Sequence, residues 1–371
     1  VFMTVKLKQH TIFVLSFLIA IIVILILSLR PDTVKMVDQT LSEKLNNGNT
    51  IYYVVVGDSI GRGAGAETMR DSWHGQLEKL VKQRYGARME GQHIVQSGAT
   101  AFEGLYKLRN TELLIPADII FLVFGENDRK YMETEEFAQH YELLIREAKV
   151  RAPNAEIITF IESPLNVQSF ADQIQILSDH YGAIPIDMRA AYAQSGISVK
   201  KLNKDQVHPN RRGYELYANT ILAMLEDYPN RKAPALEESL YTQGDTPFHL
   251  TKTIDSQKGF MYADSYWTAG EKGSSIRYKI EGNTVGAIIK RNPNGGMVDV
   301  FIDHQYYRTI NTNWPLVKER YIILATGLEE GQHQIEFMMN DDGHRFKGLD
   351  EKPFQLGGII SANILEKEIM E

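Results

Sequence analysis

The chain has 371 residues, 43% hydrophobic and 23% charged, with a formal net charge of -7 and a pI near 5.9. That balance belongs to a folded protein long enough for two domains, each with its own core. An acidic chain with no basic run excludes nucleic acid as the expected partner, and the lack of cysteine excludes disulfides, thiol catalysis and cysteine-bound zinc.

After a tail of residues 1–10, residues 11–29 read TIFVLSFLIAIIVILILSL, an uncharged stretch close to the roughly 20 residues that span a bilayer as a helix. A signal peptide has a shorter apolar core, roughly 7–15 residues, and ends at small residues. Arg30-Pro31-Asp32 follows instead, so a retained single-pass anchor is expected. Lys6 and Lys8 lie before it and Arg30, Lys35 and Lys44 after it, so the charge count does not set the orientation. Residues 30–50 read as a polar linker, and the absence of cysteine suits an exported bacterial protein.

From Ile51 to Val56 the chain is continuously apolar, as in a strand buried on both faces. A helix follows, with Asp71 as its expected N-cap and Trp73, Leu77, Leu80, Val81 and Tyr85 on one side. Strands are expected near His93 to Gln96, at Asp118 to Phe124, at Glu156 to Ile161 and at Ala183 to Ile186. Thr134 is the expected cap of a helix bearing Phe137, Tyr141, Leu144, Ile145 and Ala148, and a last helix runs from Arg211 to Glu226. Strands alternating with amphipathic helices imply an α/β domain over 51–227, with a parallel sheet covered on both faces. In such sheets the reactive groups gather beyond the carboxyl ends of the strands.

Residues 228–240 read as a linker with Pro229 and Pro234, and 241–371 have a different texture. Short apolar runs at 276–280, 285–289, 298–302, 321–324, 334–338 and 354–360 alternate with turn signals such as Gly282-Asn283 and Asn294-Gly295-Gly296. That spacing predicts an all-β sandwich of jelly-roll type.

Chemistry concentrates in four places. Gly57-Asp58-Ser59-Ile60-Gly61 fits G-x-S-x-G directly after a buried strand, where a sharp turn exposes a hydroxyl; a plain strand-ending turn is the alternative. Asp205-Gln206-Val207-His208-Pro209 precedes the last helix of the α/β domain. A serine needs a base, and an imidazole needs an acceptor on its other nitrogen; Asp205 can supply one to His208. Gly125-Glu126-Asn127-Asp128 ends a buried strand, and the Asn127 amide there can donate to a developing oxyanion. Gly98, in Ser97-Gly98-Ala99-Thr100, lets its N–H approach the same oxygen.

In their order, over roughly residues 51–227, these four blocks resemble the SGNH (GDSL-type) hydrolase family. The resemblance implies a three-layer α/β/α, flavodoxin-like domain, with Ser59 as nucleophile, His208 as base and Asp205 as its partner. It also implies an oxyanion hole of Ser59 N–H, Gly98 N–H and the Asn127 amide, and no cofactor. The second block departs from the family pattern, with Gln96 where an Asn would stand two residues before Gly98. The ordinary α/β-hydrolase order fits less well, because Ser59 ends the first strand and Asp205 lies three residues from His208.

No metal site is expected, since Asp303-His304 and Asp341-Asp342-Gly343-His344 match no calcium loop. Arg62, His74 and His93 read as surface or packing residues, and Trp267 and Trp314 as sandwich core in preference to sugar-stacking platforms. The second domain resembles the jelly-roll modules that accompany some SGNH carbohydrate esterases. The expectation is an esterase of acylated, chiefly acetylated, cell-envelope carbohydrate, anchored in the membrane with its body outside the cytoplasm. The alternatives are an O-acetyltransferase using the same triad with a multispanning acyl-donor partner, and an inactive carbohydrate-binding surface protein.

Overall fold

The structure is a computed structural model that describes residues 39–340 and 354–367. The expected anchor at 11–29 and the Asp341–His344 segment lie outside the described residues. No helix among the described residues is long and apolar enough to cross a membrane.

From Leu41 onward the chain forms one compact unit with two layered parts. After a short helix α1 (Leu41–Asn46) come the strands β1 (Ile51–Gly57), β2 (Met89–Val95), β3 (Ile119–Val123), β4 (Glu156–Ile161) and β5 (Ile184–Asp187). They pair in parallel in the order β2-β1-β3-β4-β5, the flavodoxin-like arrangement. Every residue of β3 and β4 is buried, which explains why these runs do not alternate.

One face of the sheet is covered by α2 (Trp73–Tyr85) and α8 (Arg211–Glu226), packed around Trp73, Phe121, Phe160 and Tyr217. The other face is covered by α3 (Ala101–Asn110), α4 (Thr134–Arg151) and α5 (Gln168–Tyr181). Short helices α6 (Met188–Gln194) and α7 (Val199–Leu202) lead to α8. The helices α3 and α5 carry no separate sequence expectation above, and they complete the three layers.

Two expected caps are corrected. Ser72, not Asp71, caps α2, accepting from Gly75 N; Asp71 is turned away to accept from Thr68 Oγ1. Glu133, not Thr134, caps α4 in a reciprocal box with Glu136, because the Thr134 hydroxyl bonds Ser169.

The second part is a sandwich of two antiparallel sheets. It is built from β6 (His249–Thr251), β7 (Ser256–Lys258), β8 (Met261–Ala263), β9 (Tyr266–Ala269), β10 (Ser275–Glu281), β11 (Thr284–Arg291), β12 (Met297–Ile302), β13 (Gln305–Asn311), β14 (Lys318–Ala325), β15 (Gln332–Met339) and β16 (Phe354–Ala362). One sheet runs β13-β12-β15-β10-β7 and the other β14-β11-β16-β9-β8, with β6 on β16. In β12, Val298, Val300 and Ile302 face the core, as their alternation requires.

The strands β11, β14 and β16 do not alternate cleanly, because both of their faces are covered. Ala287, Leu324 and Leu356 point into the sandwich core. Ile288, Ile323 and Ile360 point the other way, into the helical layer of the α/β part. The seam is tightest at Gly286, where an added Cβ would lie 2.3 Å from the Phe102 ring of α3. The 228–240 segment is strapped down, with Lys149 donating to Pro234 O and Arg146 to Glu237 O. The substitution Gly286→Val should therefore destabilise the protein by about 1–3 kcal/mol through overpacking. Urea denaturation checks this, and an unchanged midpoint would mean the seam is loose.

Candidate active site

The turn after β1 is shaped by two glycines in contact. A Cβ on Gly57 would meet Gly61 Cα at 3.1 Å, and one on Gly61 would meet Gly57 Cα at 3.0 Å. That contact lets the chain fold back within four residues and lifts Ser59 off the strand end. Ala64 N then donates to Ser59 O, and Tyr214 Oη of α8 to Ala64 O. The helix that follows His208 thus also pins the nucleophile turn.

The sequence-predicted triad comes together. His208 Nε2 lies 2.9 Å from Ser59 Oγ, and His208 Nδ1 lies 2.8 Å from Asp205 Oδ2. The second carboxylate oxygen, Oδ1, accepts the N–H groups of Val207 and His208, both at 2.8 Å. Partial burial pushes the Asp205 carboxyl up, but the His208 N–H, the imidazole and the Val207 N–H outweigh it and hold it at about 2. It is therefore a full carboxylate at neutral pH, the state an imidazolium needs beside it. Asn210 follows the loop as N-cap of α8, accepting from Arg212 N and Gly213 N.

The oxyanion candidates meet at the same strand ends. Gly98 sits at φ 74, in a left-handed turn, and neither its N–H nor that of Ser59 has an acceptor among the described residues. Asn127 Nδ2 donates to Asp58 Oδ2 at 2.6 Å. An amide nitrogen carries two protons, so a second one is left for a ligand.

Around these groups lies a set of buried acids that the sequence reading did not single out. Asp58 is fixed through Oδ1 by Ile60 N at 2.7 Å, and it orients Asn127 through Oδ2. Burial raises it to about 6, against the pull of the Ile60 and Gly61 N–H groups, Glu162 and His208. Asp128 accepts from Ala101 N at 2.7 Å and Gly125 N at 3.0 Å, so it caps α3 from another loop and ties the Gly98 and Asn127 turns together. Burial raises Asp128 to about 7, opposed by those two N–H groups.

Glu162, fully buried at the end of β4, accepts from Glu126 N through Oε2, while Oε1 meets no N–H or O–H donor. Burial, and then the Asp58 charge beside it, push its carboxyl well above the glutamate range. A protonated Glu162 that donates to Asp58 satisfies both groups. No pattern of spacing announces these roles; a carboxylate next to the serine was the only signal.

The sandwich also reaches the site. Arg320, on β14, is buried against Glu103 of α3 at 2.8 Å and donates through Nη2 to Gly98 O at 3.0 Å. A cleft of about 370 Å3 opens beside Gly98 and Asn127 and is lined on the sandwich side by Arg291, Arg308 and Trp314. The expected core role of Trp314 is corrected: it is 38% exposed in the loop after β13, whereas Trp267 does pack on the sandwich core. His74 and His93 are packing residues, with ring centroids 4.5 Å apart, and Arg62 is exposed. Asp303 pairs with His333, and no cluster among the described residues is suited to hold a metal.

Residues 55–216 match the GDSL-like Lipase/Acylhydrolase family, and the α/β part of this chain is a GDSL/SGNH lipase-acylhydrolase domain. Among solved structures, a two-domain esterase active on acetylated mannans is similar at 17% identity and TM-score 0.65, over 87% of this chain and 94% of that one. Its co-crystal with mannopentaose is similar at 17% identity and TM-score 0.62, over 86% and 92%. A Clostridium thermocellum family 3 carbohydrate esterase matches at 19% identity and TM-score 0.41, over 48% and 98%. No curated protein matches. The full-length likeness shows that the α/β domain and the sandwich form a shared two-part fold.

The state of Glu162 has a measurable consequence. Folded Glu162 keeps a proton that the unfolded chain releases near its ordinary value of 4.5. The native state then binds more protons than the unfolded one, so this contribution to stability falls as pH rises above about 4.5. The substitution Glu162→Gln, which keeps a donor and removes the titration, should fold and flatten that decline in thermal melts. A strong loss of stability at neutral pH in Glu162→Gln would instead assign an ionised carboxylate.

Proposed function

We propose that the protein is a serine esterase that removes small acyl groups, chiefly acetyl, from cell-envelope carbohydrate. The observation that carries this is the relay Asp205–His208–Ser59, with both contacts under 3 Å and the serine beside three convergent donors. The family of the α/β domain and the two-domain fold shared with an esterase active on acetylated mannans support it. The uncharged stretch at 11–29 supports a single-pass membrane anchor, while a catalytic body outside the cytoplasm of a bacterium rests on the family resemblance.

In this reading His208 Nε2 takes the Ser59 proton as Oγ adds to the ester carbonyl. The new oxyanion is received by the N–H groups of Ser59 and Gly98 and by the Asn127 amide. Asp205 stabilises the imidazolium, which then protonates the sugar oxygen as its bond to the acyl carbon breaks, so that the sugar leaves as a hydroxyl. Water, deprotonated by His208, cleaves the acyl-enzyme and frees the carboxylic acid. A sugar hydroxyl in place of water would turn the same steps into transfer, with a multispanning partner as acyl source.

A fluorophosphonate probe should label the wild-type protein at Ser59 and leave Ser59→Ala unlabelled. Acetate release from an acetyl ester should fall by a factor on the order of 10^6 in Ser59→Ala. In Asn127→Ala, kcat should fall by roughly 10^2–10^3. Adding oligosaccharide acceptors separates the two outcomes: acetylated sugar accumulating faster than free acetate would replace hydrolysis by transfer. Absence of Ser59 labelling would favour a binding protein.

A further inference from the structure

The cleft beside Gly98 and Asn127 has an unbalanced charge. Lys130, Arg291, Arg308 and Arg320 line it, against a single carboxylate, Glu103. That carboxylate is already engaged by Arg320 at 2.8 Å and Lys107 at 3.2 Å, and Lys130 is paired with Glu126 at 3.4 Å. Arg291 and Arg308 have no carboxylate within ion-pair distance among the described residues, and the Nε of each is buried without a hydrogen-bond partner.

Both guanidinium groups are instead held by aromatic rings. Arg308 lies 5.2 Å from the Tyr131 ring and donates through Nη2 to Ile323 O. Arg291 lies 6.0 Å from the ring of Trp314. Burial, joined by the nearby Arg320 and Arg308 charges, makes the cation on Arg291 less favourable, and burial does the same for Arg308. An arginine keeps its proton at neutral pH, so the folded protein holds two confined, uncompensated cations next to the oxyanion groups. Guanidinium forks with free N–H edges fit carboxylate and phosphate oxygens, and half-exposed aromatic rings fit the apolar face of a sugar.

Resting on the esterase reading above, we infer that the cleft receives an acidic glycan. Its sugar lies against Trp314, and its anionic group, a uronate carboxylate or a phosphodiester, is held by Arg291 and Arg308 while the acyl ester lies at Gly98 and Asn127. The sandwich then selects the polymer, and the α/β domain cleaves the ester.

The full chain is assayed for acetate release from acetylated mannan, acetylated polygalacturonate and an acetylated glycerol-phosphate polymer, at matched ester concentration. At least one acidic polymer should be cleaved with kcat/KM about tenfold or more above the mannan, chiefly through KM, and high salt should shrink that advantage. Which acidic polymer is preferred separates carboxylate from phosphate. In Arg291→Gln and Arg308→Gln the acidic-to-neutral ratio should fall about tenfold, and Arg291→Lys should retain part of it. Equal kcat/KM on all three polymers, or a ratio that none of the variants moves, would overturn the inference. If a Gln variant does not fold, the wild-type ratio and Arg291→Lys decide. If no ester is cleaved, the esterase reading fails by itself. Ser59→Ala binding of polygalacturonate oligomers against manno-oligosaccharides then still decides the cleft: about tenfold tighter binding of the acidic oligomer supports it, and equal binding overturns it.

Discussion

The ion pair between Arg320 and Glu103 joins everything else in this molecule. Arg320 is 4% exposed and Glu103 1%, on a strand of the sandwich and a helix of the α/β domain. Buried ion pairs contribute little net stability, because desolvation offsets most of their attraction. Their geometry is demanding, however, and here it sets how the two parts dock. The same guanidinium holds Gly98 O, so the docking of the second part also orients the turn that presents the Gly98 N–H. Phe102 against Gly286, and the tilted pair of Tyr106 and Tyr321 beside it, fill the seam that this pair anchors.

A second constraint is the packing of carboxyl groups behind the Gly98 and Asn127 turns. Asp58, Asp128 and Glu162 are all buried, and burial raises all three. Such groups are tolerated where N–H donors converge or where a proton is shared, and both occur here. The result is a fixed placement of Asn127 and of the first turn of α3.

The site is consequently composite. Ser59, His208 and Asp205 belong wholly to the α/β domain, while the cleft beside Gly98 and Asn127 takes its cationic wall from β11, β13 and β14. Arg291, Arg308 and Trp314 lie far from Ser59 in the chain and come to the cleft only through the seam.

Much of this was legible in the residues. Buried parallel strands read as continuous apolar runs, so β1, β3 and β4 were found close to their ends, and the alternation of β12 gave the sandwich its inward face. The helix Arg211–Glu226 matches the expected span of about those residues, because Tyr214, Tyr217, Ile221 and Leu225 align on one face. The meeting of Ser59, His208 and Asp205 was legible because a hydroxyl at a strand end and an Asp three residues before a His in one short loop can form a hydrogen-bonded relay. The caps of α2 and α4 were misplaced by one residue, since adjacent polar side chains compete for the same N–H groups and only packing picks the winner. Asp58, Asp128 and Glu162 gave no periodic signal, and Arg291, Arg308 and Arg320 look like any surface cation in sequence. The sequence by itself determined the strand and helix periodicity and the residue types of the Ser59–His208–Asp205 relay, because those follow from local chemistry and spacing. Only the tertiary structure decided the proton-sharing acids, the docking pair and the cationic cleft, because burial and long-range proximity have no local signature.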